Sequence, residues 1–236
     1  MSPHGLHGHL VDALGRSLTS GEHPAGTVLR LDELTGRYRV SRTVAREAVR
    51  VLEALRMVRS RPKVGTIVLP ATEWNLFDPL LIRWRLAGAD RTTQLRQLAQ
   101  LRMAVEPAAA GLAALHAGSG QRERLLRLAQ KMSRTAGATG TDAEAIEAYV
   151  AADITFHRLL LAASGNEMFA HLGEVSAEVL QGRLTHRLLP TGPDPAGTSR
   201  HLKAAEAINR GDAEAAEREL RSIVTATAEE VDELLD

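Results

Sequence analysis

"SRTVAREAVRVLEALRMV", Ser41 to Val58, decides how the N-terminal part of the chain is read. Val44, Ala48, Val49, Leu52 and Leu55 recur at the spacing of a helix with one apolar face, and Ser41 stands where an N-cap belongs. The opposite face carries Arg42, Thr43, Arg46 and Arg50, a cationic ridge in the first turns. Guanidinium groups fork onto guanine edges or phosphate, and hydroxyls and free N–H groups at a helix N-terminus bind phosphate oxygens. A lone ridge of this kind is commonly just a solvated face, so its neighbours decide the matter. Upstream, "LHGHLVDALGRSLTSG" reads as a first helix with Leu10, Leu14 and Leu18 on one face and Gly21 as its stop. "HPAGTVLR" reads as a turn, and "LDELTGRYRV" as a short second helix only a few residues before Ser41. Two short helices so joined are the helix-turn-helix arrangement. Downstream, "VRSRPKVGTIVLP" has two extended runs around Pro62 and Gly65, a basic two-stranded wing.

Composition sets the outer bounds. The 236 residues are 44% hydrophobic and 25% charged, ordinary for a globular chain, but only 3% aromatic. Abundant Ala and Leu with few rings point to a mainly helical core, because sheets favour aromatic and β-branched side chains. With no cysteine, disulfides, thiolate metal sites and Cys nucleophiles are excluded. No apolar run approaches the roughly 20 residues needed to span a bilayer, and "MSPHGLHGHL" lacks a signal-peptide core, so the expected location is the cytoplasm. The net charge of zero hides an asymmetry. Residues 1–70 carry 11 Lys and Arg against 6 Asp and Glu, or +5, and the rest carry 18 against 23, or −5. A basic piece followed by a larger acidic one suggests a polyanion-binding module attached to a body with another role.

That body reads as helices separated by short breaks. "WNLFDPLLIRWRLAG" is a connecting helix, followed by the long "RTTQLRQLAQLRMAVEPAAAGLAALHAG". "QRERLLRLAQKMSRTAG", "TDAEAIEAYVAADITFHRLLLAASGN", "EMFAHLGEVSAEVLQGRLTHRLLP", "AGTSRHLKAAEAINRGD" and "AEAAERELRSIVTATAEEVDELLD" complete an antiparallel bundle of about seven helices, with Gly, Pro and Asp at the joints. The expected organisation is therefore a winged helix-turn-helix over residues 1–70, a connecting helix over 71–90, and a helical effector-binding domain over 91–236.

Within the bundle, the stripe Ile146, Val150, Asp153, His157, Leu160, Leu161 sets two ionisable residues on a core face. Such groups are costly to bury unless paired, hydrogen-bonded or metal-bound. Asp153 and His157, four apart, reach one point from one helix face, and His201 on the stripe His201, Ala205, Ile208 can supply a third ligand. Arg102 lies on the stripe Leu98, Arg102, Val105, Ala109, Leu112, where an inward guanidinium needs an anionic partner. A carboxylate effector suits its fork, and an internal salt bridge to Glu106 is the alternative.

Two resemblances add to this reading. "VSRTVAREAVRVLEALRMV…SRPKVGT" resembles the winged helix-turn-helix of GntR-family transcription regulators over about residues 8–69. It implies DNA contacts from Arg42, Thr43 and Arg46, with Ser41 capping, and wing contacts near Lys63 and Gly65. The chain departs from that family in having Leu31-Asp32 where many members have Glu-Arg, and Lys63 where many have Gly. The body, through "DITFHRLLLAASGN" and "HLKAAEAINRGDAEAA", resembles the all-helical FCD ligand-binding domain of the FadR branch. The "SRPKVGT…WNLFDPLLIRW" junction resembles more narrowly the sugar-acid regulators of the galactonate type. In metal-binding members a further His follows His201 by 22 residues; here Ile223 stands there, and Ala216, Leu220 and Ile223 read as plain core.

Three outcomes stay open for the buried cluster. Asp153, His157 and His201 hold a divalent ion such as zinc, nickel or manganese, with water or effector oxygens completing its shell and His186 as a substitute ligand. Alternatively, Asp153 and His157 bond the effector directly, or they form a structural pair. The expected function is an effector-responsive transcription regulator, a repressor that binds a palindromic operator as a homodimer and senses a small carboxylate or sugar acid through Arg102, Asp153, His157 and His201. Dimerisation follows because one recognition helix reads too few base pairs. The competing reading, a metal-dependent hydrolase or lyase on the bundle, needs a general base beside the metal. No second carboxylate appears on these stripes and the recognition helix would be unexplained, so the chain reads as no enzyme.

Overall fold

The computed structural model describes residues 5–136, 143–185 and 195–235, and the chain divides into two compact units, residues 1–91 and 92–236. In the first unit the elements are α1 (Leu6–Thr19), β1 (Val28–Leu29), α2 (Leu31–Tyr38), α3 (Arg42–Ala54), β2 (Val58–Arg61), β3 (Gly65–Val68) and α4 (Pro79–Leu86). Ser41 caps α3, its hydroxyl accepting from the Val44 N–H at 3.2 Å. The break between α2 and α3 is made by Arg39, whose left-handed backbone (φ 53°) ends α2 and lets the Val40 N–H return to the Thr35 carbonyl. Leu10, Leu14 and Leu18 of α1 meet Leu34 of α2 and Ala45, Ala48, Val49 and Leu52 of α3 in one buried core.

The strands form an antiparallel sheet in the order β1-β3-β2, with Val58 opposite Val68 and Arg61 opposite Gly65. "HPAGTVLR" is thus not wholly a turn: Val28 and Leu29 pair with Ile67 and Thr66 and complete the wing as a third strand. Gly65 adopts φ 122°, and a Cβ there would lie 2.9 Å from Val28 Cγ1 and 3.3 Å from the Leu29 carbonyl, so the close approach of β1 requires glycine.

The connecting helix is shorter than expected. Residues 74–78 are not helical, and α4 starts at Pro79 behind Asp78, whose carboxylate accepts from the Leu80 N–H. α4 belongs to the first core through Leu81 and Trp84. The Trp84 indole lies over α1 where Gly15 leaves room; a Cβ there would come within 2.4 Å of the ring. Its N–H donates to Asp12.

The second unit contains α5 (Arg91–His116, beginning at the boundary), α6 (Ser119–Ala136), α7 (Ala143–Ala163), α8 (Glu167–His171), α9 (Gly173–Thr185), α10 (Pro195–Arg210) and α11 (Ala213–Leu235). The segment from Glu167 is two helices, not one, broken at Leu172, and Met168 is 75% exposed instead of lying on a core stripe. α6 packs on α7 and α10, α10 on α11, and α7 on α9. With α5 they share one core, in which Ala110, Ala113, Ala129, Ala152, Ala204, Ala205 and Ala216 are buried, with Phe156, Leu160, Ile208 and Leu220 filling between. Small residues let helices approach closely, which is why a core this poor in aromatics still excludes water.

Candidate functional site

Two groups of side chains carry chemistry. On the first unit, burial of Ala45, Ala48, Val49 and Leu52 turns Arg42, Thr43, Arg46 and Arg50 outward, and all four are exposed. Arg50 is engaged by Glu47 at 2.8 Å. The Arg42 Nη2 donates to Asp32 Oδ1 at 2.7 Å, from the start of α3 to the first turn of α2. Lys63 is exposed at the tip of the turn between β2 and β3, in a left-handed conformation of φ 63°. That conformation explains why glycine suits the position, since a β-carbon resists it.

In the second unit, α5, α7, α9 and α10 bring together a buried polar cluster. Asp153 and His157 come from α7, His201 from α10, Arg102 and Glu106 from α5, and Ser176 from α9. Ligand atoms of Asp153, His157 and His201 all lie within 4.8 Å of one another. His157 Nε2 is 3.2 Å and His201 Nε2 3.1 Å from Asp153 Oδ1, and the two Nε2 atoms are 3.3 Å apart. Each imidazole is oriented from behind. His157 Nδ1 is 2.8 Å from Glu106 Oε2, and His201 Nδ1 2.8 Å from the Gly197 carbonyl. With both Nδ1 atoms donating, both Nε2 lone pairs face Asp153, the tautomer that metal-ligating histidines adopt.

The Asp153 oxygen is close to both rings by distance, yet its angles satisfy no hydrogen bond and it is left a buried acceptor without a partner. Two lone-pair nitrogens and a carboxylate oxygen at mutual contact are repulsive unless a cation or proton lies among them. The donor set therefore fits a divalent ion of the nitrogen- and oxygen-liking kind. Without an ion, the surrounding charges favour a proton on His157. Burial alone would discharge His157, but the carboxylates of Glu106 and Asp153 outweigh burial and the opposing Arg102, and raise its pKa from 6.5 to about 9. Burial likewise opposes ionisation of Asp153, and His157 and His201 overcome it to hold its pKa well below the ordinary value.

Glu106 corrects the expectation that no second carboxylate faces the site. It is buried where Val105 is only half-buried, because the inward stripe of α5 runs Leu95, Leu98, Arg102, Glu106, Ala109, Ala113. Its oxygens are saturated. Oε1 accepts from Arg102 Nε at 2.8 Å and Ser176 Oγ at 2.9 Å, and Oε2 meets Arg102 Nη2 at 3.2 Å and His157 Nδ1 at 2.8 Å. A carboxylate with all four acceptor positions filled is no general base. Despite the cost of burial, Arg102 and His157 keep it ionised far below its ordinary range.

The internal salt bridge open to Arg102 is thus formed, but it uses only one edge of the guanidinium. Nη2 also lies 3.5 and 3.3 Å from the two nitrogens of His157, and Nη1 is buried without a partner. Ile223 is buried in the aliphatic core, as its stripe predicts. His186, the suggested substitute ligand, lies outside the described residues. Sequence reasoning placed Asp153, His157, His201 and Arg102 here and missed Ser176, which stands in a helix with no periodic signal for it.

Residues 6–68 match the model of the bacterial regulatory proteins of the gntR family, and residues 97–226 match the FCD domain. The chain is 25% identical over 228 residues to the galactonate operon transcriptional repressor of Escherichia coli K12, covering 95% of this chain and 96% of that protein. It is 34% identical over 125 residues to the uncharacterised HTH-type transcriptional regulator YieP of the same organism, a match that spans only 52% of this chain and 54% of that one. Among solved structures it is similar in fold to the Listeria monocytogenes regulator Lar (TM-score 0.63, 16% identity, 99% and 100% of the two chains) and to E. coli McbR/YncC (TM-score 0.54, 16% identity, 99% and 100%). No helix among the described residues is long and apolar enough to cross a membrane. A capped, arginine-lined second helix with its wing, followed by an FCD bundle over more than half the chain, places this protein in the GntR family of transcription regulators, in the branch that carries an FCD domain, and not among enzymes.

Proposed function

We propose that the protein is a repressor that binds a palindromic operator as a homodimer and releases or tightens on it in response to a small acid. DNA contacts are assigned to Arg42, Thr43 and Arg46 at the start of α3, with Ser41 as cap and with Lys63 and Gly65 at the wing. The effector contacts are assigned to Arg102, Asp153, His157 and His201, the last three through a divalent ion of zinc, nickel or manganese. Once bound, such an ion supplies coordination positions for an acid's oxygens. The protein's part is to hold both Nε2 lone pairs and the Asp153 carboxylate on one point, and to offer Arg102 Nη1 beside it.

The observation that carries this reading is the orphaned pair of buried atoms, an acceptor on Asp153 and a donor on Arg102, in one cluster. Leaving such groups unmatched costs about 1–3 kcal/mol each, and more when charged. A cation bound to a carboxylate ligand satisfies both. Similarity to the galactonate repressor supports a sugar acid as the carboxylate.

The test is elemental analysis and native mass spectrometry of protein purified without chelator or affinity metal, followed by operator titration with a panel of sugar acids. A stoichiometric divalent ion, and an acid whose effect on operator binding is lost in Arg102→Met, are the expected results. Protein that carries no ion and takes up none on addition of zinc, nickel or manganese rules out the metal half of the reading. Operator affinity unchanged in both Arg42→Ala and Arg46→Ala rules out the DNA half, since each lost base contact should cost about 1–3 kcal/mol.

A further inference from the structure

Among the described residues, Asp32 is the acidic side chain bonded to the exposed start of the recognition helix. Its Oδ1 takes the Arg42 Nη2 at 2.7 Å, and the two side chains are 76% and 70% exposed. An exposed pair of this kind contributes about 0–1 kcal/mol to folding, so stability does not account for it. What it does fix is the direction of the guanidinium. One N–H of Nη2 is committed to Asp32, which leaves the other Nη2 hydrogen and Nη1 as a fork of the shape that guanine O6 and N7 accept.

The carboxylate has a second effect. The surrounding surface carries Arg30, Arg37, Arg39, Arg42, Arg46 and Arg50 within α2, α3 and their flanks, of which Arg30, Arg37 and Arg50 are paired with Glu33, Glu22 and Glu47. An acid in the first turn of α2 beside that ridge repels phosphate and lowers affinity for every sequence alike. It also gives Arg42 a preferred partner other than the backbone of the duplex. When α3 enters a groove and water leaves, the pair strengthens, because the local dielectric falls.

We infer that Asp32 is a specificity-setting residue, which positions Arg42 to read a guanine and holds it off phosphate. This inference rests on the assignment of Arg42 to a base. Asp32 makes the chain a poorer binder of random DNA and a sharper reader of one base pair in each half-site.

The experiment uses the full-length protein and a duplex selected by it from a random-sequence pool, with every single-base variant of that duplex and an unselected duplex, all at one salt concentration. Wild type, Asp32→Asn, Asp32→Ala, Arg42→Ala and Asp32→Ala/Arg42→Ala are compared, and thermal melts check that each is folded. The isosteric Asp32→Asn keeps the size of the side chain in α2 should the alanine variant unfold. Arg42→Ala is expected to lose preference at one base pair per half-site. Both Asp32 variants should lose about tenfold of the preference at that same base pair while binding the unselected duplex more tightly, and Asp32→Ala should change nothing further there once Arg42 is gone. If the Asp32 variants tighten on all duplexes equally and keep every base preference, Asp32 is only a repulsive charge and the inference fails. If Arg42→Ala itself keeps every preference, the assignment of Arg42 fails and takes the inference with it.

Discussion

Lys63 occupies a backbone conformation that glycine adopts without cost, and its side chain is exposed at the tip of the wing. A residue kept at strain of about 1 kcal/mol in the left-handed region has a use for its ammonium, and the anions that a wing tip meets on a duplex are phosphates. Lys63→Gly should therefore leave thermal stability nearly unchanged while weakening binding to all duplexes equally. The slope of log affinity against log salt should fall by about one unit. Loss confined to one base position would show that the wing reads sequence. In the bundle, His157 makes the stability of the metal-free protein depend on pH. Its folded pKa is raised, so its contribution is fully present below the unfolded value of 6.5 and is lost as pH rises through about 9. Chelator-treated wild type should melt at progressively lower temperature between those limits, and His157→Gln should flatten that part of the profile. A wild-type melting temperature that stays level there would show that Glu106 and Asp153 do not hold the proton on His157.

At the level of elements, the bundle is tied by Arg122 of α6. Its guanidinium donates to the carbonyls of Ala114 and Ala117 at the end of α5 and of Ile208 and Asn209 at the end of α10, at 2.8–3.2 Å. These carbonyls belong to last turns, whose carbonyls have no partners within their own helices, and the positive charge faces the negative ends of two helix dipoles. Arg122→Met keeps the stem and removes all four bonds, so chemical denaturation should report a loss of about 2–4 kcal/mol with the slope unchanged. A loss below about 0.5 kcal/mol would mean that water replaces the guanidinium. The elements that sequence made legible are those with a long period and a polar stop. α3 announced itself by Ser41 and five apolar positions, and α7 by its stripe through Asp153 and His157. β1 did not, because two residues are too few to show alternation and their pairing with β3 is a tertiary fact. Trp74, Leu76 and Phe77 looked like helix because they are apolar; Asp78 and Pro79, a cap and first-turn proline, were the better guide. The break at Leu172 is marked only by Gly173, and a single glycine inside a helical pattern is a weak stop; Glu106 hid one residue from Val105 on a stripe wide enough to hold either.

For the molecule as a whole, the charge asymmetry has a counterpart in each unit. The basic unit offers an arginine-lined helix to a polyanion, and the acidic unit buries a cluster suited to a cation. The cation is the part of the proposed function that this chain makes most open to test, because its α11 carries Ile223 where the resemblance to metal-binding members implies a further histidine. Three protein ligands leave more of an ion's shell to solvent or effector than four do, so affinity is expected to be lower and effector uptake easier. Ile223 is buried at 6% exposure on α11, which packs against the helix of His201, and its replacement by histidine is expected to exchange an aliphatic contact for a ligand. Ile223→His should bind zinc at least about tenfold more tightly than wild type in competition with a chromogenic chelator, and its melting temperature should rise more on metal addition, because a ligand of the folded state stabilises by mass action. The same variant should respond less to the acid, since the position proposed for the acid's oxygen would be filled. His157→Ala should lose metal in both backgrounds. Tighter zinc with an unchanged acid response would separate the ion from the sensing and leave Arg102 as the effector's anchor. No zinc in any variant would leave Asp153 and His157 as direct effector contacts or a structural pair, and the effector response of metal-free His157→Ala then distinguishes the two.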